Sequence, residues 1–221
     1  MSCFMLGRDK PVFESVLAAH GAALNTAPES PFWRAARPIY AESDKNGGLL
    51  PEYRTEIRSR STDTDIYFLF ICPNKQLYLK PSPNVHQETY ELWNWNVAEV
   101  FIGSDFADIK RYKEFEVSPH NEWIDLDIDL NKPHHEDGWK WNSGFEHAAR
   151  IDEKSHVWYM AMRIPLNALG GRPVKAGNTF RVNFFRTEAG PQNSKEIVWQ
   201  PVMGASFHVP ERFALLRLSS R

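Results

Sequence analysis

The sequence predicts an all-β fold, an antiparallel two-sheet β-sandwich with a short N-terminal helical extension. Three observations carry this. From residue 53 onward apolar residues recur with period two in one short run after another. The runs are separated by Gly-, Pro-, Asn- and Asp-rich stretches, the punctuation of turns. Helical periodicity is confined to residues 11–25. The 221 residues suit one large domain, and no repeat or low-complexity segment divides them. The expected organisation is therefore an extension over residues 1–25 followed by one β-domain over residues 26–221.

In residues 11–25, apolar side chains at helical spacing follow Pro11, and Gly21 offers a stop, so a short helix is expected. Phe32, Trp33 and Ala36 form an apolar anchor to pack under a sheet. Residues 53–60 alternate, with Thr55, Ile57 and Ser59 on one side and Arg54, Glu56, Arg58 and Arg60 on the other, as in a strand with one wet face. Residues 65–71 are continuously apolar and read as a central strand. Residues 73–90 form a long polar loop, of the kind that is functional or mobile in compact domains. Strands follow around Glu99, around Glu116 and over residues 123–130. A second long loop, 132–144, is rich in His and Trp. Residues 147–152 and 155–163 make a hairpin, residues 165–169 a helical turn before Gly170-Gly171, and residues 180–186, 196–199 and 213–218 the last strands.

Composition narrows the function. Net charge is −2 and the Lys and Arg residues are scattered, which leaves no basic patch for nucleic acid. No apolar run reaches the roughly 20 residues of a membrane span. The N-terminus lacks the basic and apolar regions of an ordinary signal peptide, although a start assigned too far downstream would hide one. The two cysteines, Cys3 and Cys72, make no disulfide framework and are expected as free thiols.

The stretch around Trp93, Trp95 and Glu99 carries the chemistry. In an extended chain the two tryptophans point to one side. Glu99 shares its face with Val97, Phe101 and Gly103, while Ala98, Val100 and Ile102 face the other way. An acid at a strand centre has two readings: a solvent-facing residue on a wet face, or an acid lining a binding face walled by aromatics. Residues 112–119 repeat the pattern around Glu116.

Four pieces together resemble the carbohydrate-binding module family 9-like domains of the wider DOMON-like group: Tyr67-Phe68-Leu69-Phe70; Trp93 with Val97-Ala98-Glu99-Val100-Phe101; Phe115-Glu116-Val117-Ser118-Pro119; and Trp199-Gln200-Pro201 with residues 206–213. The resemblance spans about residues 25–218. It implies a jelly-roll-like sandwich, non-catalytic binding of sugars from plant or microbial polysaccharides, structural calcium in many members, and an extracellular or periplasmic place of work. In sugar-binding members two tryptophans clamp a sugar ring, and an acid takes its hydroxyls. The first clamp residue matches Trp93 and the acid matches Glu99. The second falls at Phe207, which offers a smaller face and no N–H. Where those members carry an arginine this chain has Glu116, and Gly204 replaces an asparagine. The sugar-binding residues expected are thus Trp93, Trp95, Glu99, Glu116 and Phe207, with Glu99 a surface carboxylate.

Competing readings stay open. Glu99 and Glu116 could serve a glycoside hydrolase. Met160 and Met162 are similar in type to the haem ligands of DOMON-like relatives, although alternation makes them core. Asp125, Asp127 and Asp129 have EF-hand acid spacing but lack the required glycine, where Leu130 stands; alternation turns them outward instead. His120, His134, His135, Glu136 and His147 have no firm metal-ligand spacing. A ligand-free interaction module is the last alternative.

Overall fold

The computed structural model describes residues 10–170, 177–190 and 194–220. Cys3 and Gly171 lie outside them. The described strands are β1 (Val12–Leu17), β2 (Ile39–Ala41), β3 (Thr55–Ser61), β4 (Asp65–Pro73), β5 (Val97–Gly103), β6 (Arg111–Val117), β7 (Trp123–Asp129), β8 (Glu146–Asp152), β9 (Val157–Pro165), β10 (Thr179–Glu188), β11 (Lys195–Val198) and β12 (Ala214–Ser219). One four-residue helix, α1 (Pro31–Arg34), is capped by Ser30 and sinks Trp33. None of the described helices is long and apolar enough to cross a membrane.

The strands form one hydrogen-bonded path in the order β7-β6-β5-β10-β12-β1-β3-β4-β9-β8, with β11 on β10 and β2 on β3. The sheet curls until its ends nearly meet. Trp123 of β7 lies 5.2 Å from the ring of His147 in β8, and His147 Nδ1 is 3.0 Å from Asn121 Oδ1. Inside the curl the two halves share one core. Phe184 of β10 packs at 5.3 Å on Phe68 and 5.8 Å on Phe70 of β4. Met160 and Met162 are buried in this core.

The expected N-terminal helix is a strand. β1 runs parallel to β12 on one side and to β3 on the other, so pairing is not purely antiparallel, and β1 joins the halves into one path. Phe13 and Ser15 point inward at period two, and Ser59 Oγ donates to Ser15 Oγ at 2.8 Å. Val12, Phe13 and Val16 are strand-favouring types. A slot between two open strand edges satisfies their backbone groups, and that slot overrides the weak helical spacing.

Elsewhere alternation locates the strands, but it misjudges wetness. Asp125, expected to face out, is fully buried, where its Oδ2 accepts from Ser143 N at 2.9 Å and from the Ser143 hydroxyl. Cys72 is a buried free thiol, pushed by burial up to about 12. The outer face of the β5–β6–β7–β10 region is not wet either. It forms a second core of Leu92, Val97, Phe101, Tyr112, Leu126, Phe185 and their neighbours, roofed by three long loops, and a cleft opens through that roof.

Candidate functional site

The cleft has a volume of about 600 Å³. Its floor is the face of the sheet that alternation assigns to Glu99. Glu99 and Phe101 come from β5, Glu114 from β6, Leu126 and Ile128 from β7, and Thr187 from β10. Its walls come from the loops. Tyr90, Glu91, Trp93 and Asn94, residues 205–208, and His135, Glu136, Ala189 and Ser194 line it there, joined by Glu196 of β11.

The structure brings together Trp93, Glu99 and Phe207. Trp93 is half-buried and braced edge-on by Tyr90 at 5.5 Å. Phe207 stacks on Phe185 at 4.3 Å and 14°. Trp95 lies elsewhere. Residues Leu92–Asn94 form a 3₁₀ turn, so the chain is not extended there and the tryptophans diverge. Trp95 stacks on Tyr78 at 5.0 Å and 23°, outside the cleft. Glu91, just before the turn, adopts a positive φ of 61°, an uncommon backbone region for a residue with a side chain.

Glu99 is not a surface carboxylate. It is 2% exposed, Glu114 is 4% and Glu116 0%. Glu116 lies directly across from Glu99, and Glu114 across from Phe101, so all three acids share one sheet face. One oxygen from each falls within 4.8 Å of the others. Glu99 Oε1 accepts a long bond from the Thr187 hydroxyl at 3.4 Å. Both Glu116 oxygens and Glu114 Oε2 have no donor among the described residues. Burial above all, then the neighbouring acids, holds the Glu99 and Glu116 carboxyls far above the usual carboxylate range. Glu114 is pushed by burial to about 7. A carboxyl that keeps its proton becomes a donor. Among the described residues no Lys or Arg lines the cleft.

His208 sits on the rim with Nδ1 2.6 Å from the Tyr112 hydroxyl and its ring 5.2 Å from that of Phe101. Burial drops it to about 4, so it is neutral at pH 7. The His-rich loop contributes His135 and Glu136 to the rim, but the histidines form no metal-ligand group. Among the described residues the acid trio is the one set of three acidic, His or Cys side chains with ligand atoms that close. It is therefore the set that fits an oxygen-loving cation.

Sequence reasoning missed Glu114, Tyr90, Glu91 and His208. Glu114 was findable: Glu114 and Glu116 are two apart on a strand and must share a face. The loop residues carried no local signal.

No family model matches the sequence. A protein from Arthroderma benhamiae described as an extracellular protein is 29% identical over 151 residues, which make up 63% of this chain and 66% of that relative. Among solved structures, a family 9 carbohydrate-binding module from Caldicellulosiruptor kristjanssonii in complex with cellotriose superposes with a TM-score of 0.68 at 12% identity, covering 96% of this chain and 95% of that one. The glucose complex gives 0.66 at 12% identity, with 94% and 96% covered. A candidate carbohydrate-binding protein from Bacteroides uniformis gives 0.73 at 14% identity, with 96% and 100% covered. The chain thus has the family 9-like fold along essentially its whole length.

Proposed function

We propose that this chain binds carbohydrate without transforming it, holding a sugar or short oligosaccharide from plant or microbial polysaccharide in the cleft. The observation that carries this is one cleft lined by Trp93, Phe207 and Glu99, in a fold shared with modules solved around glucose and cellotriose. A pyranose offers C–H groups on its faces and hydroxyls on its rim. Aromatic walls suit the first, and a few placed polar groups suit the second. The two halves of the curled sheet act in this reading as the layers of a jelly-roll-like sandwich, with ligand taken on the outside of one. Trp95 has no part in it, and Glu116, across from Glu99 on the neighbouring strand, does not line the cleft itself.

Geometry favours binding over hydrolysis by these acids. Glycosidase carboxyls stand about 5–5.5 Å apart in retaining enzymes and 6.5–9.5 Å in inverting ones, with the scissile bond between. Here Glu116 does not line the cleft, and Glu99 and Glu114 lie on one face of two neighbouring strands at its floor, not on two sides of a ligand. The relative described as extracellular supports an extracellular setting, where polysaccharide fragments are met.

Calorimetry against glucans, xylans, galactans and their oligosaccharides is expected to yield at least one saturable ligand, with no sugar released from it on long incubation. Silence across the whole panel sinks the reading.

A further inference from the structure

We propose that Glu99, Glu114 and Glu116 hold a divalent cation, calcium by preference, at the floor of the cleft, and that the cation's outward coordination positions take adjacent hydroxyls of the ligand. The second half of this rests on the carbohydrate reading; the first does not.

Strand pairing fixes the three acids on one rigid face. Oxygens bound to one calcium at 2.3–2.6 Å lie no more than about 5 Å apart, and the three carboxylate oxygens here lie within 4.8 Å. Glu116 supplies an independent sign. It is fully enclosed, aimed into the group, and neither of its oxygens meets a donor among the described residues. A buried carboxylate is ordinarily paired or bound to metal. Among the described residues no Lys or Arg forms an ion pair with Glu116.

The donors are all hard carboxylate oxygens, which select calcium, magnesium or manganese over softer metals. His208 is no competitor for the ion through Nδ1, since the Tyr112 hydroxyl occupies it. Calcium tolerates irregular geometry better than magnesium does, and three ligands from two fixed strands are irregular. Three protein oxygens fill less than half of calcium's usual six to eight positions. Glu99 and Glu114 line the cleft, so the remaining positions open toward the aromatic walls.

The test uses the full chain stripped with EDTA and titrated with calcium chloride alone, with magnesium and manganese chloride in parallel. One saturable calcium site is expected, accompanied by a rise in melting temperature. Glu116→Gln, which keeps the volume, is expected to weaken calcium roughly tenfold or more. Glu114→Gln is the second variant should the first not fold. No saturable binding up to about 10 mM, well above the range of extracellular calcium modules, overturns the proposal. So does binding that neither variant weakens. A sugar that binds equally well in EDTA overturns the bridging role and leaves carbohydrate binding standing. Calcium that binds where no sugar does leaves the ion site standing and removes the carbohydrate reading.

Discussion

Replacing Trp93 with alanine is expected to lower affinity for the bound sugar by about 30-fold or more. That equals roughly 2 kcal/mol, the scale of an aromatic anchor at the centre of an interface. Trp93 is the largest flat surface lining the cleft, and Tyr90 braces it at 5.5 Å, so little ordering is needed when ligand arrives. The side chain is also partly packed on the second core, so some stability will go with it. Trp95→Ala separates the two effects. It removes the stack on Tyr78 and should lower the melting temperature while leaving sugar affinity within about twofold, since Trp95 does not line the cleft. Isothermal calorimetry on both variants checks this. Equal losses of affinity in the two would remove Trp93 from the site.

Replacing Arg186 with alanine is expected to cost about 3–5 kcal/mol of folding stability. Arg186 is fully buried. Its guanidinium pairs with Glu188, donates to Thr55 Oγ1 at 3.1 Å and to Pro73 O at 2.6 Å, and thereby ties β10 to β3 and β4 across the curl. Burial raises the Glu188 carboxyl, and Arg186 is the chief group that draws it back down. Alanine therefore leaves both a cavity and a buried acid without its partner. The double variant Arg186→Met with Glu188→Leu removes both charges and should recover most of the loss. Urea unfolding measures both. A loss below about 1 kcal/mol in the single variant would mean that water reaches the pair.

Most strands were legible because period two survives burial on either side. Alternation around Glu99 divided β5 correctly, with Ala98, Val100 and Ile102 in one core and Val97 and Phe101 in the other. It could not tell that the Glu99 face is roofed, because the roof comes from loops far away in sequence. The same blindness put Asp125 in solvent. Trp93 and Trp95 were paired on the premise of an extended chain, which one 3₁₀ turn breaks. β1 was missed because a strand that fills a slot between β12 and β3 owes its state to partners some 40 and 200 residues away. Phe207 could be matched to a position in a family, but its place in one cleft with Trp93 is set only by the fold.

The central claim is that sugar sits in this cleft. The most direct measurement is a titration of ¹⁵N-labelled protein with the ligand found by calorimetry, following the tryptophan indole N–H signals, each assigned by a Trp→Phe variant. The account predicts that the Trp93 indole moves most. Trp33, whose N–H donates to Asn25 O at 2.9 Å, and Trp158, fully buried in the main core, should stay still. Saturable binding that leaves Trp93 unmoved while Trp95 shifts would contradict it.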